Sequence, residues 1–300
     1  MTRRRLPGLL AALLICLLLA LAAQAQHAKF VLFGDPNPKA ANVPEEQKAV
    51  HPITAPFFHE DSFITSDIRL WAIYHDFPRS SAIGGGNGEA VAAQLRLAIT
   101  DTLQLVAYKD GYLNLDTTAV DEDGMFDLAA GLKWNFLQDW DNQFHAAVGA
   151  GYEFRTGEGN VLQNDAEARF WISVNKGFDK LHLGATLNGF IGLNEQDGLG
   201  NSDRISWHLH ADYAVCKYFS PVFEVNGYHI INAGFSPLPF QGVDVANLGG
   251  ETSEEVITAA PGLEIRPLPN IGIRAAYEFP ITREDDLFGY RWTGSVVISF

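Results

Sequence analysis

Residues 289–300 read Gly-Tyr-Arg-Trp-Thr-Gly-Ser-Val-Val-Ile-Ser-Phe. Counting back from Phe300, every second position is apolar or small: Ile298, Val296, Gly294 and Trp292. The positions between are mostly polar, Ser299, Ser295, Thr293 and Arg291, with Val297 the exception. Successive side chains of a strand point to opposite faces, so this is a strand with one oily and one polar face.

The same period recurs upstream. Residues 126–136 alternate Phe126, Leu128, Ala130, Leu132, Trp134 and Phe136 with Asp127, Ala129, Gly131, Lys133 and Asn135. Residues 205–215 alternate Ile205, Trp207, Leu209, Ala211 and Tyr213 with Ser206, His208, His210 and Asp212. Strand-like segments also cover residues 67–77, 89–100, 103–112, 144–154, 166–174, 181–193, 222–231, 256–265 and 271–279. With the closing stretch they make about twelve strands of the length that crosses a membrane. The connections alternate. Residues 101, 138–141, 176–179, 217–220 and 268–270 are short; residues 78–88, 111–125, 155–165, 194–204, 232–255 and 281–290 are long. An antiparallel up-and-down barrel has tight turns at one end and longer loops at the other. A sandwich with Greek-key crossings has no reason to keep that order. The expected fold is therefore all-β, a transmembrane antiparallel up-and-down barrel over residues 66–300.

Aromatic residues of the oily face sort by height. Trp134, Phe136, Phe144, Tyr213 and Phe300 fall at the short-turn end; Phe126, Tyr152, Phe154, Trp207, Tyr277, Phe279 and Trp292 fall at the long-loop end. Two bands at two interfaces are what an aromatic girdle predicts.

A last strand that ends on an oily-face Phe resembles the closing strand of Gram-negative outer-membrane β-barrels. In that family the strand is also the recognition signal for the barrel-assembly machinery, which implies that role for Trp292, Val296, Ile298 and Phe300. Residues 260–281, APGLEIRPLPNIGIRAAYEFPI, with the closing strand, resemble the end of porins grouped with phenol-degradation transporters. That resemblance implies passive uptake of small molecules and assigns no residue.

The other end of the chain agrees. Residues 1–25 carry Arg3, Arg4 and Arg5, then an unbroken apolar run, then Ala23-Gln24-Ala25, as a cleavable secretory signal does. The run is short of the ~20 residues that a spanning helix needs. Removing it leaves 18 basic against 36 acidic side chains and one cysteine, Cys216. Such a chain repels nucleic acid and has no intrachain disulfide. Residues 26–65 hold Pro36, Pro38, Pro44, Pro52 and Pro56 among charged residues and show no sustained period. They are read as a periplasmic extension, either a lead-in or a plug in the barrel mouth.

The polar face supplies the expected lumen: Arg69, Arg96, Asp127, Lys133, His145, Glu153, Glu167, Arg169, His182, His208, His210, Asp212, Glu224, Glu264, Arg266, Arg274, Glu278 and Arg291. Small inward residues, Ala129, Gly131, Ala147, Gly149, Gly151, Gly184, Gly192 and Gly272, are expected to leave space. Rows of opposite charge would keep that space wet. His208, His210 and Asp212 share a row, and antiparallel pairing brings His182 near Asp212. Alternate residues on a strand lie ~7 Å apart, too far for easy chelation, and no HExxH or CxxC is present, so neither metal nor cofactor is expected. Ser206, His208 and Asp212 superficially suggest a hydrolase triad, but no nucleophile elbow accompanies them. Gly84–Gly88 is a loop rather than a phosphate cradle, since no helix follows. Acidic clusters at Asp121–Asp123, at Glu251, Glu254 and Glu255, and at Glu284–Asp286 are candidates for divalent cations or lipopolysaccharide phosphates on loops.

The reading favoured is a passive, non-enzymatic channel in the cell outer membrane for small hydrophilic or amphipathic solutes. Its surroundings would be outer-membrane lipid and lipopolysaccharide, with the assembly machinery as a transient partner. The alternatives are a lipid-modifying hydrolase and a sealed structural or adhesive barrel.

Overall fold

A computed structural model describes residues 30–81, 83–158, 165–193, 201–234, 256–282 and 288–300. The expected signal at 1–25 and two acidic clusters, at 251–255 and 284–286, lie outside the described residues. The wall is antiparallel throughout: β1 (Asp67–Phe77), β2 (Gly86–Ala98), β3 (Leu103–Lys109), β4 (Tyr112–Thr117), β5 (Asp121–Met125), β6 (Leu128–Asp139), β7 (Phe144–Phe154), β8 (Ala166–Phe178), β9 (Leu181–Leu193), β10 (Asp203–Tyr213), β11 (Phe219–Asn232), β12 (Val256–Leu268), β13 (Ile271–Pro280) and β14 (Tyr290–Ser299). β1 pairs with β2 on one side and with β14 on the other, Asp67 opposite Ser299 and Asp76 opposite Tyr290, so the sheet closes. β3 and β4 are two halves of one wall strand, since both pair with β2; β5 and β6 make the next. The barrel thus has twelve wall strands.

Two expectations are corrected at that double strand. The long connection at 111–125 is mostly wall: β4 and β5 form a hairpin that extends the barrel rim, and Asp121–Asp123 lie in β5 rather than in a loop. Phe126 does not share the outward face of Leu128. Both Phe126 and Asp127 are buried, so the alternation slips by one residue between β5 and β6. The slip faces a break in the partner strand, where Phe126 N–H donates to Gly111 O. Gly111 has φ +119, and a Cβ there would lie 2.3 Å from Val91 O, so only glycine fits.

Elsewhere the alternation holds, and its sense is inverted relative to a soluble protein. In β8, Glu167, Arg169, Trp171, Ser173 and Asn175 are buried while Phe170, Ile172, Val174 and Phe178 are exposed. Leu132, Trp134, Phe136, Leu187, Ile191, Leu209 and Ile273 are likewise exposed on the outer face. An apolar outside around a polar inside suits a lipid-facing wall. Both aromatic bands are present apart from Phe126. Trp134 and Phe136 lie 5.9 Å apart at the short-turn end, and Tyr277 lies 4.7 Å from Trp292 at the other. In the closing strand Trp292 is exposed, Val296 and Phe300 are half-buried, and Ile298 is only 8% exposed despite its outward register. Phe300 sits 6.3 Å from Phe30.

The segment before β1 crosses the short-turn end and then enters the barrel. Leu32 and Phe33 N–H donate to Ala98 O and Ile99 O. A short helix, α1 (Pro38–Ala41), is capped by the Asn37 side chain, and Lys39 pairs with Asp141 in the β6–β7 turn. Gln47 reaches Asp179 in the β8–β9 turn. From Lys48 to Asp67 every residue is buried. This stretch climbs the lumen, turns at Ala55–Phe58, where Phe58 and His59 N–H both donate to Ala55 O, and descends to β1.

Candidate functional site

A buried stretch without strand or helix must have its backbone N–H and C=O groups satisfied by something else. Here the inward side chains of the wall do it. On the rising limb, Arg266 donates to Lys48 O and Ala49 O, and Asp212 accepts from Val50 N–H at 3.1 Å. Arg274 Nη1 donates to His51 O at 2.7 Å and Pro52 O at 3.2 Å. Glu224 accepts from the N–H groups of Ile53 and Thr54. At the apex, Gln94 donates to Pro56 O. Arg169 forks across Phe57 O at 2.7 Å and Phe58 O at 2.6 Å. On the descending limb, Thr186 donates to Glu60 O, Lys133 to Asp61 O, Asn135 to Ser62 O and Gln104 to Thr65 O, while Asn175 accepts from Ser62 N–H. Nine strands contribute, β2, β3, β6 and β8–β13, from all round the barrel.

The apex is also held by packing. Phe57 and Phe58 join an apolar cluster with Trp71, Ile73, Phe77, Phe126, Phe190, Tyr228 and Phe288 inside the long-loop half of the barrel. Phe58 lies 4.4 Å from Phe190, and Phe57 5.7 Å from Phe126. The Arg169 guanidinium sits over the Tyr108 and Trp171 rings at 4.7 and 4.6 Å. Burying these two Phe side chains is worth ~2–3 kcal/mol each.

The small inward residues do not leave the space expected of them. A Cβ on Gly149 would fall 2.1 Å from the Trp171 ring, and one on Gly151 2.6 Å from Tyr108. On Gly184 it would meet Asn175 at 2.7 Å, and on Gly272 Glu264 at 2.7 Å. Each glycine is the bed of a large neighbour, as when an aromatic ring covers a glycine across a sheet. Cavities between the segment and the short-turn end of the wall measure about 40 Å³, 20 Å³ and 30 Å³, room for a few waters and no solute.

Of the inward residues singled out in the sequence, all but the half-buried Arg266 are buried. Within the wall, Arg69 pairs with Asp67, Arg204 with Glu167, Lys109 with Glu153, Arg266 with Glu264, and Arg291 with Glu278. Asp127 accepts from Thr156 and Gly157 N–H and secures the β7–β8 connection. His145 packs at 4.4 Å on Trp140 and 5.1 Å on Phe63. His182 does lie beside Asp212, at 2.8 Å, and the row continues through His210 to Glu224 and Thr54. Among the described residues no group of His, Cys, Asp and Glu has the arrangement of a metal site.

Asp212 is not the third member of a triad with Ser206 and His208. His208 Nδ1 faces Asn226 Oδ1 at 2.8 Å, while its Nε2 lies 2.9 Å from Ser206 Oγ. Serine, histidine and amide are thus linked in the order of a hydrolase triad. All three are buried, and Asn188 Nδ2 donates to Ser206 Oγ at 3.0 Å. This places them in a hydrogen-bonded packing network of the barrel interior.

Seven buried neutral residues of this lumen are not among the inward residues singled out in the sequence: Gln94, Gln104, Asn135, Asn175, Thr186, Asn188 and Asn226. Their signal was available as amides and hydroxyls at inward positions, where a barrel with an empty wet lumen has no special need of them.

Two carboxylates of the inserted segment carry charge into the wall. Glu60 pairs with Arg96, and Lys133 Nζ lies 3.5 Å from Glu60 and 3.5 Å from Asp61. Burial alone would raise the Glu60 carboxyl, but Arg96 and Lys133 outweigh it and hold it below the ordinary value. His59 stacks on His208 at 5.1 Å, its Nδ1 is buried without a partner, and burial pushes the imidazole down to about 4.

No protein-family model and no curated protein matches the sequence. Among solved structures, an outer membrane channel from Pseudomonas putida F1 superposes with a TM-score of 0.59, at 12% identity over 79% of this chain and 96% of that one. The two share the architecture of a closed antiparallel barrel. The NanC porin and the KdgM porin with disordered oligogalacturonate are looser, each with a TM-score of 0.48, at 11% and 10% identity. They cover 78% of this chain and 98% and 99% of their own. At such identity likeness extends to architecture and does not name a solute.

Proposed function

We propose that the protein is a passive outer-membrane channel for small solutes, closed at rest by its own segment 48–66. The observation that carries this is the inserted segment itself. It is held by polar clamps rather than by strand pairing, so it can leave without unzipping the wall. The likeness to an outer-membrane channel and the apolar outer face support the location. Release would expose a lumen lined by charged and amide side chains, which suits hydrophilic or amphipathic solutes.

The test is planar-bilayer conductance of the chain without its signal, compared with a variant in which residues 48–62 are replaced by a Gly/Ser linker. The linker form is expected to carry steady current, and the intact form rare openings. Silence from both, with the barrel folded in detergent, would favour a sealed structural barrel.

A further inference from the structure

The buried charges sort by where their counter-charge comes from. Seven inward carboxylates of the wall, Asp67, Glu153, Glu167, Asp212, Glu224, Glu264 and Glu278, each have a cation or imidazole of the wall beside them, and Asp127 accepts from the N–H groups of Thr156 and Gly157. Four inward cations do not reciprocate. Arg96 and Lys133 find their carboxylates only on the segment, at Glu60 and Asp61. Arg169 and Arg274 form no ion pair among the described residues and donate to segment carbonyls, to Asn188 and to Ser295. Arg274 Nη2 is buried with no hydrogen-bond partner.

We infer that Arg96, Lys133, Arg169 and Arg274 form an anion-binding track in the open lumen, and that Glu60 and Asp61 occupy it as stand-ins for the carboxylates of an anionic organic solute. The inference rests on the channel reading above. When the segment leaves, its carboxylates and carbonyls go with it, and the wall keeps four cations that have no wall carboxylate in ion-pair contact among the described residues. Guanidinium and ammonium groups then face a carboxylate in the geometry that Glu60 now shows. A solute with two carboxylates can replace Glu60 and Asp61 together, so it promotes opening as well as passing through. The acidic balance of the whole chain does not oppose this, because the field inside a narrow lumen is set by the nearest charges.

The experiment records the full chain with Glu60→Gln and Asp61→Asn under a potassium chloride gradient. The expected current reverses towards the chloride equilibrium potential and is blocked by millimolar succinate. Adding Arg96→Gln and Lys133→Gln is expected to remove both effects. A current that is non-selective or cation-selective and ignores succinate overturns the anion track and leaves the channel standing. Silence here and from the linker form overturns both. Because these variants could misfold, a second readout leaves the charges in place. In Ile53→Cys with Cys216→Ser, millimolar succinate should speed maleimide labelling several-fold over potassium chloride of equal ionic strength. An unchanged rate overturns the inference.

Discussion

Replacing Arg169 by Met is expected to raise the open probability of the channel by roughly a hundredfold while leaving the barrel folded. Arg169 is fully buried and forks across two adjacent carbonyls, those of Phe57 and Phe58, at the turn of the inserted segment. Hydrogen bonds from a charged donor are worth ~1.5–3 kcal/mol each, and buried carbonyls that lose their donor carry a desolvation cost of similar size. Loss of the fork should therefore weaken docking by about 3 kcal/mol, which is the hundredfold quoted. Methionine keeps much of the apolar stem between Tyr108 and Trp171, so the wall itself has little reason to collapse. Arg169→Lys is expected to fall between the two, because an ammonium cannot bridge both carbonyls as a planar fork does. A folded Arg169→Met barrel that stays as closed as the parent would show that the apex is held by packing alone.

Acidification is the second large effect. The His59 imidazole titrates near 4 when docked and, once the segment is released into water, at its ordinary 6.5. A base whose docked value is depressed binds more protons in the released state. Docking is therefore fully favoured above about 6.5 and is lost progressively as pH falls from 6.5 to 4. Linkage gives roughly a 30-fold shift towards release at pH 5. The groups around the ring are His208 and His210 of β10, Glu224 of β11, and Glu60 and Asp61 of the segment. Glu60 and Asp61 sit below their ordinary values, so they stay ionised across this window and do not reverse the sign. Open probability measured from pH 7.5 to 5 should rise accordingly, and His59→Phe should flatten part of the rise, the remainder coming from His51, whose imidazole burial also depresses. A channel that closes on acidification would contradict the assignment.

The wall was legible because one face of each strand is oily and the other polar, and period 2 survives without knowledge of the partner strand. Residues 67–77, 144–154 and 181–193 match β1, β7 and β9 at both ends. The β4–β5 hairpin was hidden because Asp121–Gly124 is too acidic and too short to show a period. The slip at Phe126 was hidden because its cause, the break at Gly111, lies on another strand. Inward positions were legible as a list but not as a task. Arg169, Arg274 and Lys133 read as lumen charges, and nothing in their spacing says that they hold carbonyls of Phe57, His51 and Asp61. The segment from 48 to 66 has no period because its backbone is satisfied by side chains from strands distant in sequence. Such a stretch looks like a flexible lead-in until those strands are folded round it.

The most direct test of a lumen closed by its own segment is a reversible lock. Ile53 packs against Val222 of β11 inside the barrel. Ile53→Cys and Val222→Cys, in a Cys216→Ser background, place a thiol on the segment and one on the wall. Single-channel recording at pH 5 should show a silent oxidised form that begins to open when dithiothreitol is added and falls silent again on reoxidation. Equal current from the oxidised and reduced forms would contradict the account, since the solute path would then not depend on where the segment lies.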